Sequence, residues 1–117
     1  MARVLIDQSA PRRIAQFLTA HHVEVAYDRG WATLTNGDLL DAIEQAGFEV
    51  FVTADQNLRF QQNLRHRRVA IVVIGTNTWP VIAGNSAPVV RAVADAKPGA
   101  VSFVPYPKPP RPKGPQP

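Results

Sequence analysis

Asp7, Asp38 and Asp55 are the side chains of this 117-residue sequence with the best placement for holding a divalent cation. Asp7 closes the apolar run Arg3–Ile6, and Asp55 follows the buried-looking run Val50-Phe51-Val52-Thr53. Asp38 falls in the first turn of the helix expected before that second run. Carboxylates converging on one sheet edge repel one another unless a cation neutralises them. Oxygen donors without cysteine or paired histidines suit Mg²⁺ or Mn²⁺ better than zinc. Such a cation lowers the pKa of a bound water and stabilises charge developing on a phosphate oxygen. Each acid also has a plainer reading. Asp55 can cap the segment opening at Gln56, and Asp38 can simply favour a helix N-terminus. Asp7 is harder to reduce in this way, because Ser9 or Ala10 is better placed to cap the helix that Pro11 opens.

The elements that must carry these acids follow from hydrophobic spacing. Strands are expected at Arg3–Ile6, Val23–Tyr27, Val50–Thr53, Val69–Ile74 and Ala100–Val104. Between the first two, Ile14, Phe17, Leu18 and His21 recur at helical spacing. A second helix, capped by Asn36 and stopped by Gly47, carries the stripe Leu39, Leu40, Ile43 and Ala46. A polar, arginine-rich helix or turn covers Gln56–Arg65, a turn is expected around Trp79-Pro80 and Gly84, and a helix spans Ala87–Ala96. Strands alternating with helices predict an α/β fold, a mainly parallel sheet of about five strands between two helical layers. Continuous Val/Ile runs agree with strands buried on both faces. In such a sheet ligands bind beyond the carboxyl ends of the strands, where Asp7 and Asp55 stand.

Composition limits the function classes. Hydrophobic residues make up 45% of the chain and there is no cysteine. A disordered chain, a disulfide scaffold, a thiolate metal site and a cysteine nucleophile are thereby excluded. No apolar run approaches the roughly 20 residues of a membrane span, and no signal-peptide core opens the chain, which points to the cytoplasm. The net charge of +4 is uneven: Lys108, Arg111 and Lys113 contribute three, leaving +1 for residues 1–104. The domain is therefore placed at 1–104. Residues 105–117 hold seven prolines and no acid, and are expected to form a basic extended arm.

Arg59, Arg65, Arg67 and Arg68 cluster after Asp55, with His66 among them. They are candidates for tracking a phosphate backbone, or else for a solvated helix face. Gln62 and Asn63 could orient substrate or be ordinary surface amides. Trp31 and Trp79 can stack bases, but beside glycine and proline they read better as packing anchors. His21 and His22 favour a helix end electrostatically and need no catalytic role.

The strings Val4-Leu5-Ile6-Asp7 with Pro11-Arg12-Arg13, then Gly30-Trp31 with Thr35-Asn36-Gly37-Asp38-Leu39-Leu40, then Val52-Thr53-Ala54-Asp55-Gln56-Asn57-Leu58 occur in that order. Together they resemble the small bacterial PIN-like family, related to the VapC toxins, from about Arg3 to Val104. The resemblance implies a three-layer α/β/α nuclease that uses Mg²⁺ or Mn²⁺ to hydrolyse RNA. It also implies the toxin of a toxin–antitoxin pair, with a cognate antitoxin as partner and room for a homodimer. Asp7, Asp38 and Asp55 match its acids as metal ligands. Asn57 stands where many members carry a fourth acid and is assigned to the catalytic set as an auxiliary ligand or donor. Arg59, Gln62, Arg65, Arg67 and Arg68 are assigned to substrate. Two rivals remain. A phospho-receiver-like switch would use Asp7, Asp55, Thr76 and Lys108, although Gln8 stands where its second acid belongs. A non-catalytic module would dock its proline-rich arm in a partner's aromatic groove.

Overall fold

The computed structural model describes residues 2–60, 64 and 67–107. Five strands form one all-parallel sheet: β1 (Arg3–Ile6), β2 (His22–Val25), β3 (Val50–Thr53), β4 (Ala70–Ile74) and β5 (Val101–Val104), in the order β2-β1-β3-β4-β5. The expected α/β architecture is therefore present. The order reverses between β1 and β3, the point where doubly wound sheets leave a crevice for ligands.

Alternation along each strand divides the apolar residues between two cores. Val4, Ile6, Val50, Val52, Val72 and Ile74 face one side. Ile14 and Leu18 cover them from a 3-10 helix at Arg12–Phe17, as do Ile82 of α2 (Trp79–Gly84) and Val89 and Val93 of α3 (Ala87–Ala94). On the other side Leu5, Phe51, Ile71 and Val73 meet Leu39, Leu40 and Ile43 of α1 (Asn36–Gln45), with Leu58 and Leu64. Every residue of β3 and β4 is buried, because both faces are covered. Among the described residues no helix is long and apolar enough to cross a membrane.

Several local expectations change. The segment opened by Pro11 is a 3-10 helix of six residues, too short for an α-helical stripe to develop; Phe17 instead stacks on Trp79 at 5.5 Å. β2 stops at Val25, and Ala26–Arg29 turn into another 3-10 helix that Gly30 closes at φ 75°. Thr35, not Asn36, is the extended residue before α1. Gly47 ends that helix at φ 83°, and a Cβ there would meet the Arg3 guanidinium at 2.8 Å. Trp79-Pro80 starts a helix rather than a turn, with proline in the first helical positions where its missing N–H costs nothing. The arm does not leave the domain at Pro105. Tyr106 is buried and its hydroxyl donates to the Asn85 carbonyl at 2.7 Å; burial also raises its pKa. Residues 108–117, most of the expected arm, lie outside the described residues.

Two ion clusters tie helix and edge to the sheet. Arg67, just before β4, donates to the carboxylates of Asp41 and Glu44 on α1, with Asp41 contributing most to raising its pKa. Burial alone would push the Glu44 carboxyl up. The Arg68 amide, the Arg67 guanidinium and the Val69 amide outweigh it, and Glu44 lies below its ordinary value. On β2, Glu24 accepts from Arg29 at 2.7 Å and contacts the His22 ring at 2.8 Å, which draws its pKa down to about 2.

Arg67→Ala should therefore lower stability by about 1 kcal/mol, since it removes the guanidinium from the partly buried Glu44 while Asp41 stays solvated; chemical denaturation measures this. For Glu24, the depressed pKa fixes the sign. Its contribution is complete above the ordinary value of 4.5 and is lost as pH falls towards 2. Across that window the melting temperature of Glu24→Gln should fall less steeply than that of the parent chain.

Candidate active site

The ladder between β1 and β3 pairs Ile6 with Val52, and the Asp7 amide extends it by donating to the Val52 carbonyl at 2.8 Å. Asp7 thus comes level with Thr53, the last residue of β3. Thr53 is fully buried, and its hydroxyl donates to Asp7 Oδ2 at 2.9 Å. The Ser9 hydroxyl donates to the same oxygen at 2.6 Å. Each hydroxyl has a single proton, and both protons are committed to Asp7, so the 3.1 Å approach between Ser9 Oγ and Thr53 Oγ1 has none of its own. Behind them the Ala54 amide donates to Ser9 Oγ and the Asp55 amide to Thr53 Oγ1, each at 3.1 Å. Two backbone N–H groups therefore feed two hydroxyls, which together fix one carboxylate oxygen. Asp7 Oδ1 stays outside this network.

Asp55 lies two residues past β3 and is half-buried. Its Oδ1 accepts the Asn57 amide at 3.1 Å, so it fulfils the capping role for the 3-10 helix Gln56–Phe60. Asn57 is exposed and takes part through its backbone. Gln56 spans to the end of the next strand, donating to the Gly75 carbonyl at 3.1 Å.

Asp38 is exposed in the first turn of α1, where its carboxylate accepts the Thr35 hydroxyl at 3.2 Å. Among the described residues no three His, Asp or Glu side chains stand together as a metal-holding group. Asp7 and Asp55 share an edge; Asp38 does not complete a triad with them. The pair still suits Mg²⁺ or Mn²⁺, because a small hard cation is commonly held by one or two carboxylates plus water and substrate phosphate. Each acid has one oxygen engaged in orientation and the other outside that contact.

Two of the arginines expected to hold phosphate, Arg67 and Arg68, are placed elsewhere. Both precede β4 and so lie at the amino edge of the parallel sheet, offset from Asp7 by a strand's length, about 13 Å along the strand axis, and by two strands across it. Arg67 is committed to α1, and the Arg68 amide to Glu44. Gln62 and Arg65, and the side chain of Arg59, lie outside the described residues, as do Gln61, Asn63 and His66. Among the described residues, Arg12 and Arg13 are exposed cations following the carboxyl end of β1. Arg13 lies over the Trp79 ring at 4.7 Å, and Arg12 pairs with Asp28 at 2.7 Å. Trp31 meets Phe48 edge-on at 6.2 Å, so both tryptophans pack as expected. His21 serves the fold: its Nδ1 accepts the Ala2 amide at 3.0 Å.

Ser9 and Thr53 are the members of this network that spacing did not single out. Their signal was a hydroxyl two positions after one acid and another two before the next. Comparison with family models, curated proteins and solved structures finds no match for this chain.

Because Thr53 is buried and serves both acids, Thr53→Val should cost about 1–3 kcal/mol by leaving the Asp55 amide unpaired, while Thr53→Ser retains most of that stability. Urea unfolding of the two variants checks it, and equal stability for all three chains would contradict the network.

Proposed function

We propose that this chain is a PIN-like nuclease that hydrolyses RNA phosphodiesters with Mg²⁺ or Mn²⁺ held by Asp7 and Asp55. The observation that carries the reading is the fixed Asp7 carboxylate at the β1/β3 crossover, one strand over from Asp55. When bound, the cation supplies electrophilic stabilisation of the phosphate and a water of lowered pKa. Ser9 and Thr53 hold Asp7 in one orientation, so that it need not reorganise when a phosphodiester arrives. Asp38 is an outlying acid in this reading, available to substrate or solvent rather than required for the site. Asn57 can lend an amide oxygen but adds no charge, which favours a site of one cation. Arg13 takes the phosphate-holding role first assigned to Arg67 and Arg68. The further reading as a cytoplasmic toxin countered by an antitoxin rests on the family resemblance.

One observation favours a second reading. The strand order is that of flavodoxin-like sheets, to which phospho-receivers belong, with Asp55 two residues past β3 and Thr76 two past β4. Incubation with a small phosphodonor decides it, since a receiver would gain a phosphoryl group on Asp55.

Asp7→Asn and Asp55→Asn should each reduce Mn²⁺-dependent RNA cleavage by about 100-fold or more while the fold remains intact. Without metal the Asp55→Asn melting temperature should stay level or rise, as one like charge leaves the edge. Cleavage at the parent rate by both variants would overturn the assignment.

A further inference from the structure

A second feature of the same edge concerns how a substrate strand is gripped. Immediately after Asp7 the chain forms one wall of an open groove of about 510 Å³, lined by Gln8, Ala10, Pro11, Arg12, Val25 and Tyr27. Its apolar lining comes from Ala10 and Pro11, in the segment after β1, and from Val25 at the end of β2. Tyr27 is 67% exposed, whereas Trp31 and Trp79 are spent on packing. Among the described residues the Tyr27 ring meets no other aromatic and its hydroxyl holds no hydrogen bond. A rigid aromatic face left open to water beside an acidic metal edge has a use if something flat lies on it.

Arg12 supplies the matching charge. It is bonded to Asp28, but both side chains are more than half exposed, at 57% and 56%. An ion pair of that kind contributes little and exchanges readily for another anion. The roomier cavity at the amino edge, about 620 Å³, is flanked instead by Glu44 and Glu49 with Arg68, and lies away from Asp7. Two carboxylates against one guanidinium make it the poorer seat for a phosphate.

We propose that the groove binds one nucleobase of a single-stranded RNA, stacked on Tyr27, with the adjoining phosphate on Arg12. This deepens the nuclease reading and rests on it for the direction of the strand, which runs from the groove to Asp7. Stacking requires an unpaired base, so the groove selects single strands over duplex. Any base has a stacking face, so the selection is for strandedness and not for sequence.

The test is fluorescence anisotropy of a labelled short RNA, single-stranded or annealed to its complement, titrated with the full chain in EDTA so that no cleavage intervenes. Tyr27→Ala should weaken single-strand binding by about 5- to 150-fold and Tyr27→Phe should restore it. Asp28→Asn should tighten binding by releasing Arg12, and Arg12→Ala should reduce the salt dependence by about one phosphate. Parent-like single-strand affinity in Tyr27→Ala overturns the subsite, as does an equal loss on duplex. Cleavage assays on the same variants separate the two readings. If the parent chain binds through Tyr27 but cuts no RNA with Mn²⁺, the nuclease reading fails and the subsite stands. If it cuts RNA and Tyr27→Ala binds and cuts equally well, the subsite alone fails.

Discussion

The ladder between β1 and β3 aligns Ile6 with Val52 and carries on to the Asp7 amide, and from that alignment the arrangement of the carboxyl edge follows. A parallel register shifted by one residue would turn the Thr53 hydroxyl to the opposite face and leave Asp7 beside the apolar Val52. The shift is resisted by the cores themselves. Leu5 and Phe51 belong to one apolar layer, Ile6 and Val52 to the other, and all four are buried. Hydrophobic burial thus sets the position of a polar network whose buried members are costly to leave unpaired. The Ser9–Thr53–Asp7 cluster is precise because the strands beneath it cannot slide.

Charge is partitioned along the strand axis. At the amino edge Arg67 and Glu44 are inward-turned and mutually satisfied, with side-chain exposures of 17% and 24%. Arg3 donates to the Ala46 carbonyl at 2.6 Å and lies over the Phe48 ring. These cations hold α1 to the starts of β1 and β4. At the carboxyl edge Arg12 and Arg13 stay near the surface, beside two aspartates with unspent oxygens. A formal charge close to neutral for residues 1–104 therefore conceals two very different ends.

How much of this the sequence revealed depended on the kind of signal. The five strands were legible because Val/Ile runs are what a doubly covered parallel sheet demands, and β3 matches its expected bounds. α1 was legible from its stripe and Gly47. The helix at Trp79 was not, because Trp-Pro reads equally well as a turn and as a helix start. Six residues after Pro11 were too few for spacing to separate a 3-10 helix from an α-helix. Arg67 and Arg68 were grouped with Asp55 by closeness in sequence. A parallel connection, however, must return the full length of the sheet before the next strand begins, so residues just before β4 belong to the far edge. Ser9 and Thr53 were hidden for a different reason: they are common residue types, and their importance comes from the pairing partner, which only the register discloses.

The sheet has two outer strands, and they meet the danger of uninvited pairing differently. β2 bears Glu24 with Arg29 and His22 around it, charges that an added strand would have to desolvate. On β5 the partly exposed large side chains are apolar, Val101 and Phe103 at 38% and 37%. Yet it lasts four residues and runs directly into Pro105, Tyr106 and Pro107. Two prolines lack the N–H groups that a growing ladder needs, and Tyr106 is pinned to Asn85. A fibril templated on this edge would exhaust its hydrogen-bonding partners within about 13 Å. The prolines after β5 act as a chain terminator for sheet growth.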